Sequence, residues 1–239
     1  MYEYFKKMYK EDSKKLFSLL EDNLKTNKKT FIVTANPETF SHGKDEEFNK
    51  LLLDDITTII PDGIGLVKAA KMLDINVKER IPGIDISVKL LEFLNKYSKK
   101  LYIFGSKQEV IDQMKVIIQT KYPNIDLVGM TNGYVKDKDL VMKQIKKLNP
   151  DVVMVALGVP AQEKLIYKHI MEFDKGIFIG VGGSFDVLSG SKKRAPKLFI
   201  KLNLEWLYRI CREPSRFKRF YKNNIKFIFK IKKLKKQNK

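Results

Sequence analysis

The feature that most constrains the fold is an alternation of two hydrophobic periods along the chain. Short apolar runs rich in β-branched residues favour strands at 30–34, 56–60, 100–105, 125–129, 151–157 and 176–181. Apolar residues recur at helical spacing over about 12–25, 45–54, 63–73, 84–97, 108–121, 137–148 and 160–172. Strands that alternate with helices are typical of a mostly parallel sheet with helices on both faces. Most strand runs are apolar throughout, as expected where both faces of a sheet are buried.

The chain divides into a body and a C-terminal appendage. Its 239 residues, 44% of them hydrophobic, are enough for one sizeable core, and no repeat or low-complexity linker interrupts them. We therefore predict an α/β fold, with a single Rossmann-like domain over residues 1–190 and a basic helical appendage over residues 191–239. Pro214 lies inside the appendage, where it favours a break or a fresh helix start.

Almost all of the net charge lies in the appendage. Residues 192–239 contain 18 Lys or Arg and 2 acidic residues, a net +16 of the formal +19. Such a segregated field implies an anionic partner: phospholipid, nucleic acid or a phosphorylated substrate. Near the end, apolar residues repeat every three positions among lysines, namely Ile225, Ile228, Ile231 and Leu234. This pattern favours an amphipathic segment on an anionic membrane surface, with a disordered basic tail as the alternative.

Location follows from what the sequence lacks. No apolar run approaches the roughly 18 residues of a transmembrane helix, and the N-terminus has no hydrophobic region typical of a signal peptide. The single cysteine, Cys211, cannot form an intrachain disulfide, which fits a reducing compartment. We therefore expect a cytoplasmic protein, with the appendage available to a membrane surface.

Polar and glycine-rich turns follow the strands and mark a candidate site. Ligands of such sheets bind past the carboxyl ends of the strands, where "ANPE", "PDGIG", "GSKQE", "GVPAQE" and "GGSFD" stand here. Asp62 directly follows a strand, so it is a candidate general base, although a turn or cap aspartate is the simpler interpretation. Thr34 and Asn36 could present polar groups to a sugar or cap the helix that Pro37 begins, and the local sequence does not separate these roles.

Several catalytic classes find no support. The "VGGSFD" segment, with Gly182 and Gly183, lets the backbone approach a phosphate, but it is not a GxGxxG, and no GxxxxGK[ST] occurs. These absences disfavour nicotinamide dehydrogenases and P-loop NTPases. His42 and His169 lie in no ligand-spaced cluster and have no obvious carboxylate partner, so we expect no metal, no cofactor and no serine nucleophile. Arginines, backbone amides and helix dipoles would then neutralise any bound diphosphate.

Taken in order, these segments resemble a known family. They are "TANPE" (34–38), "PDGIG" (61–65), "ERIPGIDI" (79–86), "YIFG" (102–105), "NGY" (132–134), "LGVPAQE" (157–163), "GVGGSFDVLSG" (180–190), "RAP" (194–196) and "LEWLYRICREPSRFKRF" (204–220). The set, over about residues 10–221, resembles the WecG/TagA/CpsF family of glycosyltransferases. The resemblance implies inverting, metal-independent transfer of an N-acetylhexosamine, typically N-acetylmannosamine. The donor is a UDP-sugar, the acceptor is N-acetylglucosamine on a polyprenyl (undecaprenyl) diphosphate, and the β-1,4 product feeds wall teichoic acid or surface polysaccharide.

The resemblance also implies roles for individual residues. Asp62 matches the family's proposed base, with Thr34 and Asn36 as polar pocket residues beside it. Arg80 and Gln162 match residues that contact substrate or donor. Three appendage arginines match those that close over the donor diphosphate: Arg209, Arg216 and Arg219. Four positions fall in segments that resemble the nucleotide-binding wall: Tyr134, Gly182, Gly183 and Asp186.

Two positions depart from the family pattern and bear on which sugar is used. Ala161 stands where many members carry a lysine, and Leu165 where an aromatic is frequent. The resemblance further implies a self-associating body whose appendage is displaced on assembly and ordered at the inner face of the membrane. Two rival interpretations are a nucleic-acid-binding protein, which the basic tail with interleaved aromatics favours, and a non-catalytic sugar- or nucleotide-binding module.

Overall fold

One six-stranded sheet organises the molecule. The computed structural model describes residues 1–237, apart from the side chains of residues 216, 218–220, 222 and 223. The strands are β1 (Thr30–Ala35), β2 (Thr57–Pro61), β3 (Lys100–Gly105), β4 (Asp126–Thr131), β5 (Val152–Ala156) and β6 (Ile177–Gly180). They lie in the order β2-β1-β6-β5-β3-β4, and every neighbouring pair is parallel. The predicted parallel α/β architecture is confirmed.

Thirteen α-helices are found among the described residues. They are α1 (Tyr2–Lys7), α2 (Ser13–Lys25), α3 (Pro37–Ser41), α4 (Glu46–Leu53), α5 (Ile64–Met72), α6 (Gly83–Lys96), α7 (Gln108–Lys121), α8 (Lys138–Leu148), α9 (Ala161–His169), α10 (Ser184–Leu188), α11 (Lys197–Lys201), α12 (Glu205–Arg212) and α13 (Arg216–Gln237). Two short 3-10 turns, His42–Lys44 and Ile170–Glu172, follow α3 and α9. Within the described residues, no helix has the length and apolarity needed to cross a membrane.

The core has two layers because helices cover both faces of the sheet. In β1, Phe31 and Val33 pack on one face and Ile32 on the other, and all three are fully buried. Helices α1, α4, α5, α8 and α9 contribute to the first layer, and α2, α6, α7 and α10 to the second. Burial on both faces explains why the strand sequences carry no polar alternation.

The sequence ended one strand two residues too early and missed one helix. The predicted strand at 125–129 ends at Gly129, whereas β4 continues to Thr131. Gly129 pairs with Tyr102 of β3 inside the ladder, and a Cβ there would lie 2.4 Å from the Tyr102 ring. The register between the two strands shifts at this place, between Leu101 and Tyr102. Helix α1 was not predicted; it has only six residues, although Tyr4 and Phe5 are buried.

The appendage packs back on the body. Its helix α12 ends before Pro214 and α13 begins at Arg216, so the expected break is confirmed. In α13, Phe227 and Ile231 are buried in the first core layer, and the ring centroids of Phe227 and Phe5 are 6.4 Å apart. Ile228 and Phe229 remain 48% and 68% exposed. The apolar residues of the tail are therefore divided between the protein core and the surface.

Candidate active site

Asp62 lies at the carboxyl end of the edge strand β2, beside the end of β1. Its backbone N–H donates to the carbonyl oxygen of Ala35 at 2.9 Å, which fixes the turn after both strands. The backbone of Gly83, at the start of α6, donates to the Asp62 carboxylate. One third of the side chain is exposed, so a small molecule can reach the carboxylate.

The surroundings of Asp62 make it a stronger base. Burial raises the pKa of the Asp62 carboxyl, while Arg80 and Arg209 lower it, and the negative charge of Glu205 raises it again. The outcome is a pKa above the ordinary value for aspartate. A carboxylate with a raised pKa accepts a proton more readily at neutral pH than a solvated aspartate does.

Arg80 joins Asp62 to the appendage. Its Nε donates to the backbone oxygen of Asp62 at 2.6 Å, and its Nη2 lies 3.7 Å from the Asp62 carboxylate. The same Nη2 donates to the carboxylate of Glu205, the first residue of α12. Arg80 thus holds the base on one side and the appendage on the other.

Glu205 is an appendage residue buried beside Arg80, and the sequence assigned it no role. Its side chain is 3% exposed, and Arg194 lies 3.5 Å away, itself paired with Asp85 at 2.7 Å. Burial alone would raise the pKa of Glu205, but the hydrogen bond and charge of Arg80, with the charge of Arg194, outweigh it and keep the pKa below its ordinary value. Glu205 is therefore a carboxylate held between two arginines.

A sequence signal for Glu205 did exist. Residues 192–239 contain only two acidic residues among 18 basic ones, and both form ion pairs. Glu213 is paired with Lys192 at 3.0 Å. An acidic residue in a strongly basic segment is most stabilised where its carboxylate contacts several cations. Glu205 could therefore have been predicted from the sequence to form ion pairs with basic residues.

The appendage arginines are only partly described. Arg209 lies one turn after Glu205 on α12, has an exposed side chain and is close enough to lower the pKa of Asp62. The backbones of Arg216 and Arg219 belong to the first turn of α13. Their side chains fall outside the described part of the structure, so their expected contact with a donor diphosphate stays a prediction.

Thr34 and Asn36 make contacts that shape the site. The Asn36 side-chain oxygen accepts from the backbone N–H groups of Glu38 and Thr39 at 2.8 and 3.2 Å, so Asn36 caps α3. Thr34 donates to the carbonyl oxygen of Gly180 at 3.1 Å, which joins β1 to the end of β6. Capping accounts for the Asn36 oxygen, while a role toward a sugar stays a prediction for both residues.

Gln162 connects the two glycine loops that follow β5 and β6. Its side-chain oxygen accepts from the backbone N–H of Gly158 at 3.1 Å and of Gly182 at 3.2 Å. Its amide nitrogen donates to Glu163 at 2.7 Å. Gly182 has a φ of 49° and open space where a Cβ would stand. Gln162 is only 1% exposed, so it shapes the loops from beneath them.

Glu163 is a second residue that the sequence did not single out. It is fully buried at the start of α9, and its Oε2 has no hydrogen-bond partner. Burial raises the pKa of Glu163 to about 7, although the hydrogen bond from Gln162 opposes that shift. A carboxyl that orients the loop-bridging glutamine therefore changes its charge near neutral pH.

The predicted nucleotide wall is not gathered at Asp62. Tyr134 follows β4, the edge strand opposite β2, and is 75% exposed. Five inter-strand spacings separate these edges, about 24 Å. Gly183 precedes the short helix α10, and Asp186 on that helix lies 3.6 Å from Lys192 of the appendage. These residues stand at the same carboxyl edge as Asp62, with Tyr134 at its far end.

The histidines lie apart from this site. His169 was expected to lack a carboxylate partner, which is wrong: Asp139 and Glu172 contact its two ring nitrogens at 2.6 and 2.7 Å. Asp139 belongs to α8 and meets α9 only in the folded chain, so the sequence could not show that contact, whereas Glu172 stands three residues after His169 and could have been found from helical spacing. No group of His, Cys, Asp and Glu side chains suited to a metal ion occurs among the described residues.

Comparison with known proteins identifies relatives over most of the chain. A family model described as "Glycosyl transferase WecG/TagA/CpsF family" matches residues 7–239. An N-acetylglucosaminyldiphosphoundecaprenol N-acetyl-beta-D-mannosaminyltransferase of Bacillus subtilis (strain 168) is 45% identical over 79% of this chain and 73% of its own length. Similar enzymes with the same name from Bacillus spizizenii (strain W23) and Staphylococcus aureus (strain MW2) are 39% and 37% identical, over 82% and 87% of this chain and 76% and 81% of theirs. The chain therefore belongs to the WecG/TagA/CpsF family of glycosyl transferases.

Proposed function

We propose that the protein transfers N-acetylmannosamine from a UDP donor to the 4-hydroxyl of N-acetylglucosamine on undecaprenyl diphosphate, with inversion and without a metal ion. The name shared by relatives 37–45% identical to this chain supports the acceptor, the sugar and the β linkage. The observation that carries the mechanism is the Asp62 carboxylate at the end of β2, with a raised pKa and two arginines beside it. The product would serve wall teichoic acid or surface polysaccharide synthesis.

In this mechanism Asp62 acts as the general base. It takes the proton of the acceptor 4-hydroxyl while that oxygen forms a bond to the anomeric carbon of the donor sugar. The bond from that carbon to the UDP oxygen breaks, and its electron pair stays on the departing diphosphate. Arg209, with Arg216 and Arg219 of the same appendage, supplies positive charge where the leaving group gains negative charge.

The other site residues position the two substrates. Arg80 fixes the backbone and carboxylate of Asp62, and Glu205 brings α12 against Arg80. Gln162 fixes the distance between the glycine loops after β5 and β6, and the donor would bind against these loops. Because its acceptor is carried by a membrane lipid, we expect the enzyme to work at the inner face of the cytoplasmic membrane, attached there by its basic appendage.

The decisive experiment combines the purified protein with a water-soluble short-chain N-acetylglucosaminyl diphospholipid and a panel of UDP-sugars. Mass spectrometry should show addition of one N-acetylhexosamine, with UDP-N-acetylmannosamine as the best donor. Preference for another UDP-sugar would retain the reaction type but replace the proposed donor, a point on which Ala161 and Leu165 bear. Absence of product with every donor would contradict the proposal and favour a non-catalytic binding module.

Two further measurements test the remaining parts of the proposal. A gel-shift assay at physiological salt should show no tight binding of DNA or RNA. Nucleic-acid binding would not account for the cluster of polar residues around Asp62, whereas sugar transfer would. Light scattering of the purified chain tests self-association, for which we expect an oligomer in solution. A strictly monomeric protein at all concentrations would contradict that part.

A further inference from the structure

A cleft of about 350 Å³ lies between the C-terminal helix α13 and the N-terminal elements of the body. Its floor is apolar and includes Tyr4, Phe40 and Leu234. Its rim carries Lys44 from the 3-10 turn after α3, and Lys230 and Lys233 from α13. We call this feature the lysine cleft. Asp62 is not among its lining residues, and the proposed reaction does not use it.

The positive charge of the lysine cleft is unmatched. Within the part of the chain that the structure describes, none of its three lysines forms an ion pair, and no carboxylate lines the cleft. Burial lowers the pKa of Lys230, and the neighbouring charges of Lys44 and Lys226 lower it further. Converging cations that lack a counter-charge raise the energy of the empty protein, and an anion placed between them would relieve it.

The walls of the cleft are firmly built. Tyr4 donates to the carbonyl oxygen of Gly43 at 3.3 Å and to the side chain of Asn49, and its ring lies 5.2 Å from that of Phe40. Gly43 has no room for a side chain, because a Cβ there would be 2.3 Å from the Tyr4 hydroxyl. Phe227 and Ile231 anchor the opposite wall in the core. A ligand would therefore meet a site that is already formed, which lowers the entropy cost of binding.

We propose that the lysine cleft binds the phosphate of an anionic phospholipid headgroup, with the glycerol and the first acyl carbons on its apolar floor. This inference rests on the proposed action at a membrane. Two observations favour a lipid: the cleft joins a cationic rim to an apolar floor, and the exposed Phe229 lies on the same helix beside the lysines. A nucleic-acid backbone would leave both apolar surfaces unused. The buried face of α13 thus holds the tail on the protein, and the cleft beside it holds the lipid.

The proposal separates binding in a defined cleft from general attraction to a basic tail. The test variant is the triple substitution Lys44→Gln, Lys230→Gln and Lys233→Gln in the full chain. The matched control is Lys232→Gln, Lys235→Gln and Lys236→Gln, which removes the same number of charges, all from α13 and all outside the cleft lining. Binding is measured by flotation with phosphatidylcholine vesicles that do or do not contain phosphatidylglycerol.

Both variants lose general attraction, but only the first loses charge-assisted hydrogen bonds to the phosphate. We expect the cleft variant to bind phosphatidylglycerol vesicles at least about tenfold more weakly than the control variant. Equal weakening of the two would overturn the proposal. Without lipid, the thermal midpoint of the cleft variant should be unchanged or higher, because its substitutions remove mutual repulsion; a lower midpoint would contradict the unmatched-charge argument.

Soluble ligands identify what the cleft recognises. A short-chain phosphatidylglycerol below its micelle concentration should bind the natural chain saturably and the cleft variant much more weakly. Inorganic phosphate or a short DNA duplex that bound as tightly, with the same dependence on the three lysines, would overturn the lipid assignment. Transfer to the water-soluble acceptor should be equal in all three proteins, so a failed cleft and a failed reaction give different results.

Discussion

Two carboxyl groups in this fold, Asp62 and Glu163, have pKa values raised by burial, yet they suit different tasks. Asp62 keeps a third of its surface in reach of a substrate and has two arginines beside it. Glu163 is sealed under the glycine loops and contacts only the amide of Gln162 among its side-chain partners. Asp62 is exposed enough for a substrate to reach it and can act as a base, whereas the buried Glu163 can only position Gln162.

Replacing Asp62→Asn should remove the base without disturbing the fold, because the amide has nearly the same shape. We expect the transfer rate to fall about 10²–10⁴-fold, the usual contribution of general base catalysis. Initial rates with the soluble acceptor measure this. Asp55→Asn, an exposed residue before the other end of β2, is the control and should keep its rate. An active Asp62→Asn enzyme would exclude Asp62 as the base.

Glu163 should make stability depend on pH. Its pKa is about 7 in the folded chain, against an ordinary 4.5, so between these values the folded state holds a proton that the unfolded state has lost. Stability should therefore fall as pH rises from about 4.5 to about 7 and then level off, by a total of about 3 kcal/mol.

The variant Glu163→Gln cannot ionise and should lack this decline. Urea unfolding at about pH 5 and about pH 8, which together span most of this decline, measures the difference for each protein. Glu109→Gln, an exposed acid in the first turn of α7, serves as the control and should keep the decline of the natural chain. A decline of the same size in Glu163→Gln would show that another group causes it.

At the scale of elements, the sequence placed every strand and the main helices of the body within a few residues, because burial on two faces leaves a continuous apolar run and helices keep their own period. It predicted Asp62 as a site residue from its place directly after a strand, and Arg80 came only from the family resemblance; the catalytic and binding roles of both stay predictions. It did not find Glu205 or Glu163, whose importance comes from burial and from partners distant along the chain. The sequence also could not show which apolar residues of α13 are buried, such as Phe227 and Ile231, and which are exposed, such as Ile228 and Phe229. Both groups follow the same helical spacing.

The attachment of α12 depends on Glu205. Removing its charge by Glu205→Gln should leave Arg80 and Arg194 without their shared counter-ion and weaken the docking of this helix. We expect amide hydrogen exchange over residues 205–212 to become about tenfold faster or more, with a lower transfer rate, because breaking a buried ion pair is costly.

Glu213→Gln is the matched control, since it removes the other acidic residue of the appendage, which pairs with Lys192 at the surface. Its exchange over the same residues should change little, because exposed ion pairs contribute little. Unchanged exchange and unchanged activity in Glu205→Gln would mean that α12 is held by other contacts.

At the scale of the whole molecule, the charge distribution bears on metal use. The body is nearly neutral and the appendage carries +16, so the positive charge for a departing diphosphate can come from arginines. We expect EDTA to leave the transfer rate within about twofold of its untreated value, because no step of the proposed mechanism uses an ion. Activity that required added Mg²⁺ or Mn²⁺ would contradict this mechanism.

The contact between Phe5 and Phe227 joins the first helix of the fold to the last. During synthesis, α1 leaves the ribosome long before α13 exists, so part of its apolar surface stays uncovered until the end of the chain is made. Closing so long a loop is also among the slowest steps of folding. We therefore expect docking of α13 to come late in folding and to complete both the core layer beneath it and the cleft beside it.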